Sequence, residues 1–569
     1  MAQQVDLLIV GAGLHGLIMA KTYREVHPSA NLLVVDESQT VGGTWARERL
    51  YPGLKTNNIF GSYELSDLPM VPERYGVEGT GHIPGYVVHE YLCDVAERFG
   101  ITSRLRLGMR VMSAVLQEDR LWEVHLRSVE DAERHEIILA RTLVIATGLT
   151  SNPHVPQIPG SETFEGLILH SKQLREQAQS LAESKAVVVV GGNKSAWDVC
   201  YTAARAGSQV HMIIRPSGGG PSYLWPRRFS IGPFQVSLAK LSTTRLFTLF
   251  DPAPIDGSGR FSWMRKLLHQ TRIGRSLCQF FWGYLDTLVR RENGYGSHPE
   301  VKKLEPWTTP FWMGNSLSIH NYETSWFDLV REGKIHVHIS DVATLSPRSV
   351  HLADGTILDA GALVLCTGWA TDIPVQLDMK SAFKDEEEKV TKSVYANVPY
   401  LSTARRTPNA PTDQIPAPPK SSHGPLLYRD MIPAHESYLV SKNIAFIGMS
   451  VSIHAVLVAQ AQALWITSFL ANKLDHLRPE RIDIGKIQNR ASLDRVYGRI
   501  RRPKETGGLA GEHGDLVFDS LPYVDGLLDD LGVSSMRKNW WKGLVEGYHL
   551  GDYQGLVQEW VALQGMDGL

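Results

Sequence analysis

The stretch that decides the fold is Val5-Asp-Leu-Leu-Ile-Val-Gly11-Ala-Gly13-Leu-His-Gly16, close to the N-terminus. An apolar β-run leads into a glycine-rich turn, and a helical pattern over residues 14–26 follows. In such a turn Gly11 permits the sharp bend, Gly13 lets a pyrophosphate approach the backbone, and Gly16 lets helix and strand pack closely. The spacing therefore predicts a dinucleotide-binding βαβ unit with phosphate at the helix N-terminus.

The second strand of this unit, Asn31-Leu-Leu-Val-Val-Asp36, ends on a carboxylate. A carboxylate at this position can accept hydrogen bonds from a ribose. We therefore expect Leu14, His15, Asp36 and Glu37 to contact the first nucleotide together with the glycines.

A second fingerprint lies in the middle of the chain, in Val187-Val-Val-Val-Gly191-Gly192-Asn-Lys-Ser195-Ala196-Trp-Asp198. Asn193 stands where a second glycine is usual. Asparagine tolerates unusual backbone angles, so the turn survives, but its side chain crowds a pyrophosphate more than glycine does. We expect Gly191, Asn193, Lys194 and Ser195 to bind a second nucleotide, the alternative being a degenerate fold that no longer binds one.

Arg215 follows the second strand of this second fold, where NAD-binding proteins tend to place an acid. A guanidinium there can pair with a 2′-phosphate, which favours NADPH over NADH. The alternative is an arginine that merely faces solvent. Two nucleotide folds on one chain suit electron transfer from a nicotinamide to a flavin.

The length and composition of the chain argue against several classes of protein. The chain has 569 residues, more than one hydrophobic core usually serves, and its 58 basic and 60 acidic side chains argue against a nucleic-acid partner. The four cysteines form no CxxC pair, and His336 and His338 lack a visible third ligand, so no metal site is expected. We expect a cytoplasmic protein without a signal peptide or membrane span.

The pattern along the chain predicts an α/β protein with two Rossmann-like dinucleotide-binding domains and a helical insertion. The first domain comprises residues 1–155 and 360–470, and the second comprises residues 156–359. The aromatic-rich stretch of about 216–318 is predicted as the helical insertion, which caps an apolar substrate, docks on a membrane surface or simply forms a packed core. Residues 471–569 are predicted as a C-terminal helical extension.

Further motifs match in order those of a known family. They are Gly42-Gly43-Thr44-Trp45, Leu54-Lys-Thr-Asn57, Ala146-Thr147-Gly148, Phe164-Glu-Gly166-Leu-Ile-Leu-His170-Ser171 and Thr367-Gly368-Trp369. With the two glycine loops they make the chain resemble the flavin-containing monooxygenases, the class B flavoprotein monooxygenases, over roughly residues 5–215 and 320–470. The segment around His82-Ile-Pro-Gly85-Tyr resembles fungal members linked to secondary metabolism.

The resemblance implies that FAD and NADPH are the cofactors and that O₂ is a co-substrate. It implies that reduced flavin forms a C4a-hydroperoxyflavin, which transfers one oxygen to a small organic, natural-product substrate. Asn57 matches the asparagine that the flavin-containing branch places beside the flavin, which gives it a catalytic role unless it only forms a turn. The other residues expected to contact the cofactors are Gly43, Thr44, Trp45, Thr56, Ala146, Thr147, Gly148, Thr367, Gly368 and Trp369.

One departure from the family pattern leaves the type of oxygenation open. The position four residues after His170 carries Tyr or Phe in the N-hydroxylating branch and Trp in the Baeyer–Villiger branch, but here it is Leu174. Hydroxylation at N, S or C is the leading hypothesis, and Baeyer–Villiger insertion or epoxidation with rearrangement is the second. The third is a flavin-binding oxidase or a nonredox protein that reuses the fold. Peripheral membrane contact and a homodimer also remain open.

Overall fold

The protein is described by a computed structural model. It describes residues 3–77, 79, 81–379, 387–402, 406–408, 410, 424–509 and 513–565. The architecture is the predicted α/β type, with two separate sheets that each have a parallel core.

The first nucleotide fold is built on an eight-stranded sheet. Its parallel part places Gln3–Val10 between Leu32–Val35 and the end of His135–Ile145, which also pairs with Ile444–Phe446. The beginning of His135–Ile145 continues instead into an antiparallel meander with Trp122–Ser128. The remaining strands of the sheet are Leu105–Arg106, Met109–Leu116 and Gln376–Leu377.

The second nucleotide fold has a five-stranded parallel sheet. Its strands, in spatial order, are Leu167–His170, Ala362–Leu365, Ala186–Val190, Gln209–Ile214 and Ile335–Ile339. The central strands are buried on both faces, which is why their sequences are continuous apolar runs rather than alternating ones. A three-stranded antiparallel meander of Val342–Ser346, Ser349–Leu352 and Ile357–Asp359 follows.

The aromatic insertion is mostly helical, as predicted, but it also contains short strands. Tyr223–Trp225 pairs with Leu317–Ile319, and Phe229–Ile231 pairs with Phe234–Val236. Many of its aromatic side chains form a buried cluster that also receives Val496 and Phe518 from the C-terminal extension. Its helices are Leu238–Ser242, Arg245–Thr248, Ser262–Gln270, Arg272–Asn293 and Pro299–Lys302.

The helices of the C-terminal extension pack onto the first nucleotide fold. Leu521, Val524 and Trp560 join the same core as the helices Leu14–Val26 and Ala455–Leu470. The extension therefore completes the core of the first fold. Its helices are Ile484–Arg501, Ser520–Asp530, Trp540–Val545 and Leu556–Leu563.

Shorter elements complete the chain. Additional β-pairs are Lys55–Ile59 with His82–Pro84, Asn152–Pro153 with Trp369–Ala370, Leu427–Tyr428 with Ile432–Pro433, and Ser450–Ser452 with Gly514–Leu516. The other α-helices are Pro72–Tyr75, Gly85–Arg98, Ala178–Glu183, Lys194–Ala206, Trp326–Arg331, Glu387–Asn397 and Glu436–Ser441. No helix in the described part of the chain combines the length and the apolar content needed to cross a bilayer.

Candidate active site

The first glycine loop has no room for side chains at two of its glycines. Gly11 has a φ of +115°, and a Cβ on it would lie 2.4 Å from the carbonyl oxygen of Ala146. A Cβ on Gly16 would lie only 1.9 Å from the carbonyl oxygen of Gly11. These two glycines are therefore required by the packing of the protein itself.

Gly13 differs, because a Cβ there would meet its nearest protein atom, Gly43 Cα, at an ordinary 3.5 Å. Gly13 is the N-cap of the helix Leu14–Val26, and no side chain caps that helix end. The helix N-terminus thus retains backbone N–H groups for an anion. The first glycine loop and this helix end, which we call the glycine cradle, fit a pyrophosphate.

The carboxylate of Asp36 is bound to the same loop. It accepts a hydrogen bond from Ala12 N at 2.6 Å and another from Ser38 N at 2.7 Å. Burial raises its pKa, although both hydrogen bonds act in the opposite direction. Each carboxylate oxygen retains a lone pair for a ribose hydroxyl. Glu37 points elsewhere, since it forms ion pairs with Arg110 and Lys172.

The loop that carries Gly43, Thr44 and Trp45 lies directly against the first glycine loop. Gly42 N donates to Ala12 O at 2.9 Å, and residues 43–45 form a short 3₁₀ turn. The Trp45 indole donates to Tyr63 Oη at 2.9 Å, whereas the exposed Thr44 hydroxyl lies 3.0 Å from the Thr150 hydroxyl.

Two further predicted residues, Thr147 and Gly148, follow the buried Ala146, which lies against Gly11 of the first glycine loop. The Thr147 hydroxyl oxygen is buried without a hydrogen-bond partner among the described residues. Gly148 follows with a φ of +64°. An unpartnered buried hydroxyl beside the cradle is what a bound cofactor would satisfy.

Leu14 and His15 begin the first helix but differ in their surroundings. Leu14 is buried in the core of the fold. His15 packs so closely against Gly448 that a Cβ on that glycine would lie 2.7 Å from the imidazole ring. Burial lowers the pKa of His15 to about 4, so the ring is neutral at physiological pH.

Asn57 lies on the strand Lys55–Ile59 and lines a cavity. Its amide oxygen is buried and has no hydrogen-bond partner among the described residues. The neighbouring Thr56 is different, because its hydroxyl donates to Asn58 O at 2.6 Å and accepts from Ile83 N at 3.0 Å. Thr56 therefore holds the strands Lys55–Ile59 and His82–Pro84 together, and the amide oxygen of Asn57 is free to bind.

The cavity at Asn57 has a volume of about 130 Å³ and an uncharged lining. Amide and hydroxyl groups contribute its polar atoms, and aliphatic side chains from the insertion, the strand Ser450–Ser452 and the C-terminal extension contribute the rest. Most of these positions carry no recognisable signal in the sequence, because the lining comes from five distant segments of the chain. The lining residues are Asn57, Asn58, Ala239, Asn315, Leu317, Ile319, Val451, Ser452, Ile453 and Val517.

In the second glycine loop, Gly191 has a φ of +145°, and a Cβ on it would lie 2.5 Å from Cys366 O. Asn193 is the N-cap of the helix Lys194–Ala206 with a φ of −97° and a ψ of −178°, close to the −75° and −176° of Gly13. The turn is therefore kept without any need for Asn193 to adopt unusual backbone angles. This extended conformation is open to any residue, and the Asn193 side chain is exposed.

The other residues predicted to hold the second nucleotide are not all free. Lys194 forms an ion pair with Asp198 on the same helix, and its ammonium group also lies 4.9 Å from the centre of the Tyr322 ring. Ser195 is half-buried in the first turn of that helix. Arg215 is exposed after the strand Gln209–Ile214 and forms no ion pair with the described residues.

Thr367, Gly368 and Trp369 lie at a connection between the folds. The Thr367 hydroxyl donates to His154 O, and Gly368 O accepts from His154 N and lies 3.0 Å from His170 Nε2. The Trp369 ring packs edge-on against His170 with ring centres 5.1 Å apart. Burial lowers the pKa of His170, so a neutral imidazole holds this connection.

The sequence did not indicate the contacts that hold the segment 50–56 to the second fold. The hydroxyl of Tyr51 donates to Asp198 at 2.9 Å, and Asn321 Nδ2 donates to Thr56 O at 3.3 Å. Arg175 donates to Leu50 O at 3.2 Å. The second fold thus holds the backbone that leads directly to Asn57.

Groups of histidine, cysteine or acidic side chains arranged as metal ligands do not occur among the described residues. His336 and His338 lie beside a third histidine, His211, whose Nδ1 is 3.1 Å from His338 Nε2. Burial lowers the pKa of His211 to about 4.

The chain is similar to known proteins in sequence and in fold. A family profile described as pyridine nucleotide-disulphide oxidoreductase matches residues 8–223. The chain is 33% identical to the FAD-dependent monooxygenase rstn6 of Aspergillus nomiae NRRL, with 99% of each chain covered. It is also 33% identical to the FAD-dependent monooxygenase resA of Aspergillus sclerotiorum, with 98% of each covered.

Among solved structures, the chain is similar in fold to an oxidised steroid monooxygenase bound to NADP. The two share a TM-score of 0.58 and 17% identity, over all of this chain and 99% of the other.

Proposed function

This chain belongs to the FAD-dependent monooxygenases, and from that membership we propose that it is an NADPH- and O₂-dependent enzyme. Its substrate is a neutral, largely apolar organic molecule, and the resemblance to fungal secondary-metabolism enzymes supports a natural product. The reaction is hydroxylation at nitrogen, sulfur or carbon. Bound FAD supplies the redox chemistry, since it accepts a hydride from NADPH and activates O₂.

The observation that carries the substrate class is the uncharged cavity at Asn57. A substrate with a carboxylate or an ammonium group would lose its hydration there without gaining a partner of opposite charge. The apolar side chains of the lining limit water at the reacting atoms, and the amide of Asn315 offers hydrogen bonds that orient a neutral polar group.

The same lining supports hydroxylation over Baeyer–Villiger insertion. Insertion begins with nucleophilic addition to a carbonyl, which develops negative charge that a positioned cation would stabilise. Within the part of the chain that the structure describes, no arginine or lysine lines the cavity. Leu174, at the position that separates the family branches, is buried in the core of the second fold and does not face this cavity.

For the cofactors, we propose residues 1–155 and 360–470 as the FAD domain and residues 156–359 as the NADPH domain. The glycine cradle, Asp36, the Thr147 hydroxyl and the Asn57 amide would hold FAD. Arg215 and the N-terminus of the helix Lys194–Ala206 would hold NADPH.

One experiment tests the proposal. The purified holoprotein is mixed with NADPH under ¹⁸O₂ while flavin absorbance and O₂ consumption are followed, and neutral thioethers, weakly basic aromatic amines and ketones are supplied in turn. We expect rapid flavin reduction and one ¹⁸O atom in a sulfoxide or hydroxylated product. Absence of reduction by NADPH would refute the oxygenase, and a lactone from the ketone with no other product would refute hydroxylation.

Arg215→Ala tests the choice of nicotinamide. We expect the Kd of NADPH to rise by about tenfold or more, because a charged hydrogen bond is worth about 1.5–3 kcal/mol. The Kd of NADH, which lacks the 2′-phosphate, should change little. Equal weakening of both nucleotides would contradict the 2′-phosphate role.

A further inference from the structure

Two consecutive helices of the insertion, Ser262–Gln270 and Arg272–Asn293, expose large apolar side chains instead of burying them. Ile273 is 85% exposed, Phe280 is 70% exposed and Trp263 is 63% exposed. We name this set the apolar stripe, and its members are Trp263, Leu267, Ile273, Leu277, Phe280 and Tyr284. Side chains of this size are rarely left in water together without a partner.

The spacing shows that the stripe is a second apolar face of the longer helix. Residues 273, 277, 280 and 284 follow the i, i+4, i+7, i+11 pattern that places side chains in one line. The opposite side of the same helix is buried in the insertion core through Trp282, Leu285 and Val289. One face of the helix Arg272–Asn293 thus packs in the insertion core, whereas the apolar stripe remains exposed.

The two helices form one hairpin, with Gly274 packed against the backbone of residues 267 and 268. The helix Trp540–Val545 lies beside it, because Leu544 and Phe261 share a small core that Met264 and Leu268 also contact. Trp540 and Trp541 on that helix are 60% and 62% exposed. The exposed surface around the hairpin therefore carries three tryptophans.

The sequence segment that carries the apolar stripe is basic. Residues 257–285 contain five basic side chains and no acidic one. Arg260, Lys266 and Arg272 are exposed and Arg275 is half-buried, and none of these four forms an ion pair with the described residues. Exposed aromatic and aliphatic side chains flanked by unpaired cations are the signature of a surface that lies in a membrane interface.

We propose that this face docks peripherally on an anionic lipid bilayer, with the apolar stripe in the headgroup region and the cations on lipid phosphates and carboxylates. A second copy of the chain is the competing occupant. A twofold contact through the hairpin would bring Arg260, Lys266 and Arg272 of two copies together without acidic partners, which is unfavourable. The charge pattern therefore favours lipid.

The test is flotation of the FAD-loaded protein with large unilamellar vesicles of phosphatidylcholine, with and without 30% phosphatidylserine (about a physiological anionic fraction). We expect binding to the anionic vesicles and at least about tenfold weaker binding to pure phosphatidylcholine. The double variant Ile273→Ser/Phe280→Ser should lose about tenfold or more in partition, because each side chain is worth at least a factor of ten when fully buried.

Ile357→Ser is the matched control, since Ile357 is 62% exposed on a distant strand of the second fold. It should bind vesicles as the parent protein does. Lys266→Glu/Arg272→Glu should abolish the preference for phosphatidylserine while the bound FAD stays constant.

Three results would overturn the proposal. The first is an absence of binding to either vesicle, and the second is equal loss in the Ile357→Ser control. The third is a parent protein that does not bind vesicles but forms a concentration-dependent dimer in sedimentation, which Ile273→Ser/Phe280→Ser dissociates. That result would assign the face to contact with a second copy of the chain.

Discussion

Replacing Tyr51 with phenylalanine removes one hydrogen bond between the two nucleotide folds and leaves the aromatic ring in place. Asp198, on the helix Lys194–Ala206 of the second fold, accepts from Tyr51 at its Oδ2 and from Tyr322 at its Oδ1, both at 2.9 Å. Lys194 pairs with the same carboxylate. Tyr51 is the donor that comes from the first fold, so Tyr322→Phe is a matched control within the second fold.

The magnitude follows from the burial of the cluster. The Asp198 side chain is 7% exposed, and burial together with the Asp198 charge raises the pKa of both tyrosines well above 10. Both phenols therefore remain protonated donors. A hydrogen bond to a charged group is worth about 1.5–3 kcal/mol, so each variant should lose roughly that amount of unfolding free energy.

The consequences for turnover should differ between the two variants. Because Tyr51 lies six residues before Asn57, Tyr51→Phe should loosen the segment 50–57 against the second fold. If about 1.4 kcal/mol of the loss falls on domain alignment, flavin reduction by NADPH slows about tenfold, and hydrogen exchange of residues 50–57 rises even in the FAD-free protein. Tyr322→Phe should change neither quantity by more than about twofold.

Denaturant unfolding, stopped-flow flavin absorbance and hydrogen exchange measure these three quantities. Equal slowing of flavin reduction in both variants would refute the reasoning, because it would show that only the stability of the Asp198 cluster matters. Unchanged exchange of residues 50–57 in Tyr51→Phe would refute it as well.

Three other predictions concern single positions. Gly13→Ala should fold with a loss of about 1 kcal/mol and yet lose FAD, whereas Gly16→Ala should lose about 1–3 kcal/mol of stability from its clash with Gly11; denaturation with and without FAD separates the two. Asn57→Leu should stabilise the FAD-free protein by about 1 kcal/mol, since it removes an unpartnered buried oxygen. It should also lower the additional stability that bound FAD provides. If denaturation with and without FAD showed both stabilities rising, the role of Asn57 in binding FAD would be contradicted. Burial, and after it the negative charge of Asp494, raises the pKa of Asp430 to about 7. The folded protein therefore keeps a proton that the unfolded chain releases, and it loses stability as the pH rises from 4 to 7. Asp430→Asn should therefore raise Tm more at pH 8 than at pH 5, and a constant difference across this range would count against the shift.

The nucleotide folds were predictable because their signals are local. The helix predicted over residues 14–26 is Leu14–Val26, and the strand predicted at 31–36 is Leu32–Val35. Apolar periodicity and glycine spacing within a dozen residues specify such units. The same holds for Gly11 and Gly16, whose packing explains why no side chain stands there.

The contacts between distant segments were not predictable. Tyr51 and Asp198 are 147 positions apart, and neither residue type signals the other in the sequence. The cavity at Asn57 likewise draws on the insertion and the C-terminal extension, where no motif helped. The aromatic residues of the insertion divide into a buried cluster and the exposed apolar stripe, and the sequence alone does not separate one from the other.

The two glycine loops now differ in a physically defined way. Gly13 and Asn193 have nearly the same extended backbone, so neither position needs glycine for its own conformation. Glycine at position 13 is therefore explained by a ligand that approaches the backbone closely. At position 193 a side chain keeps the ligand further away, and affinity there must come from groups such as Arg215. Tight contact suits a cofactor that stays bound, and looser contact suits a nicotinamide that exchanges between turnovers.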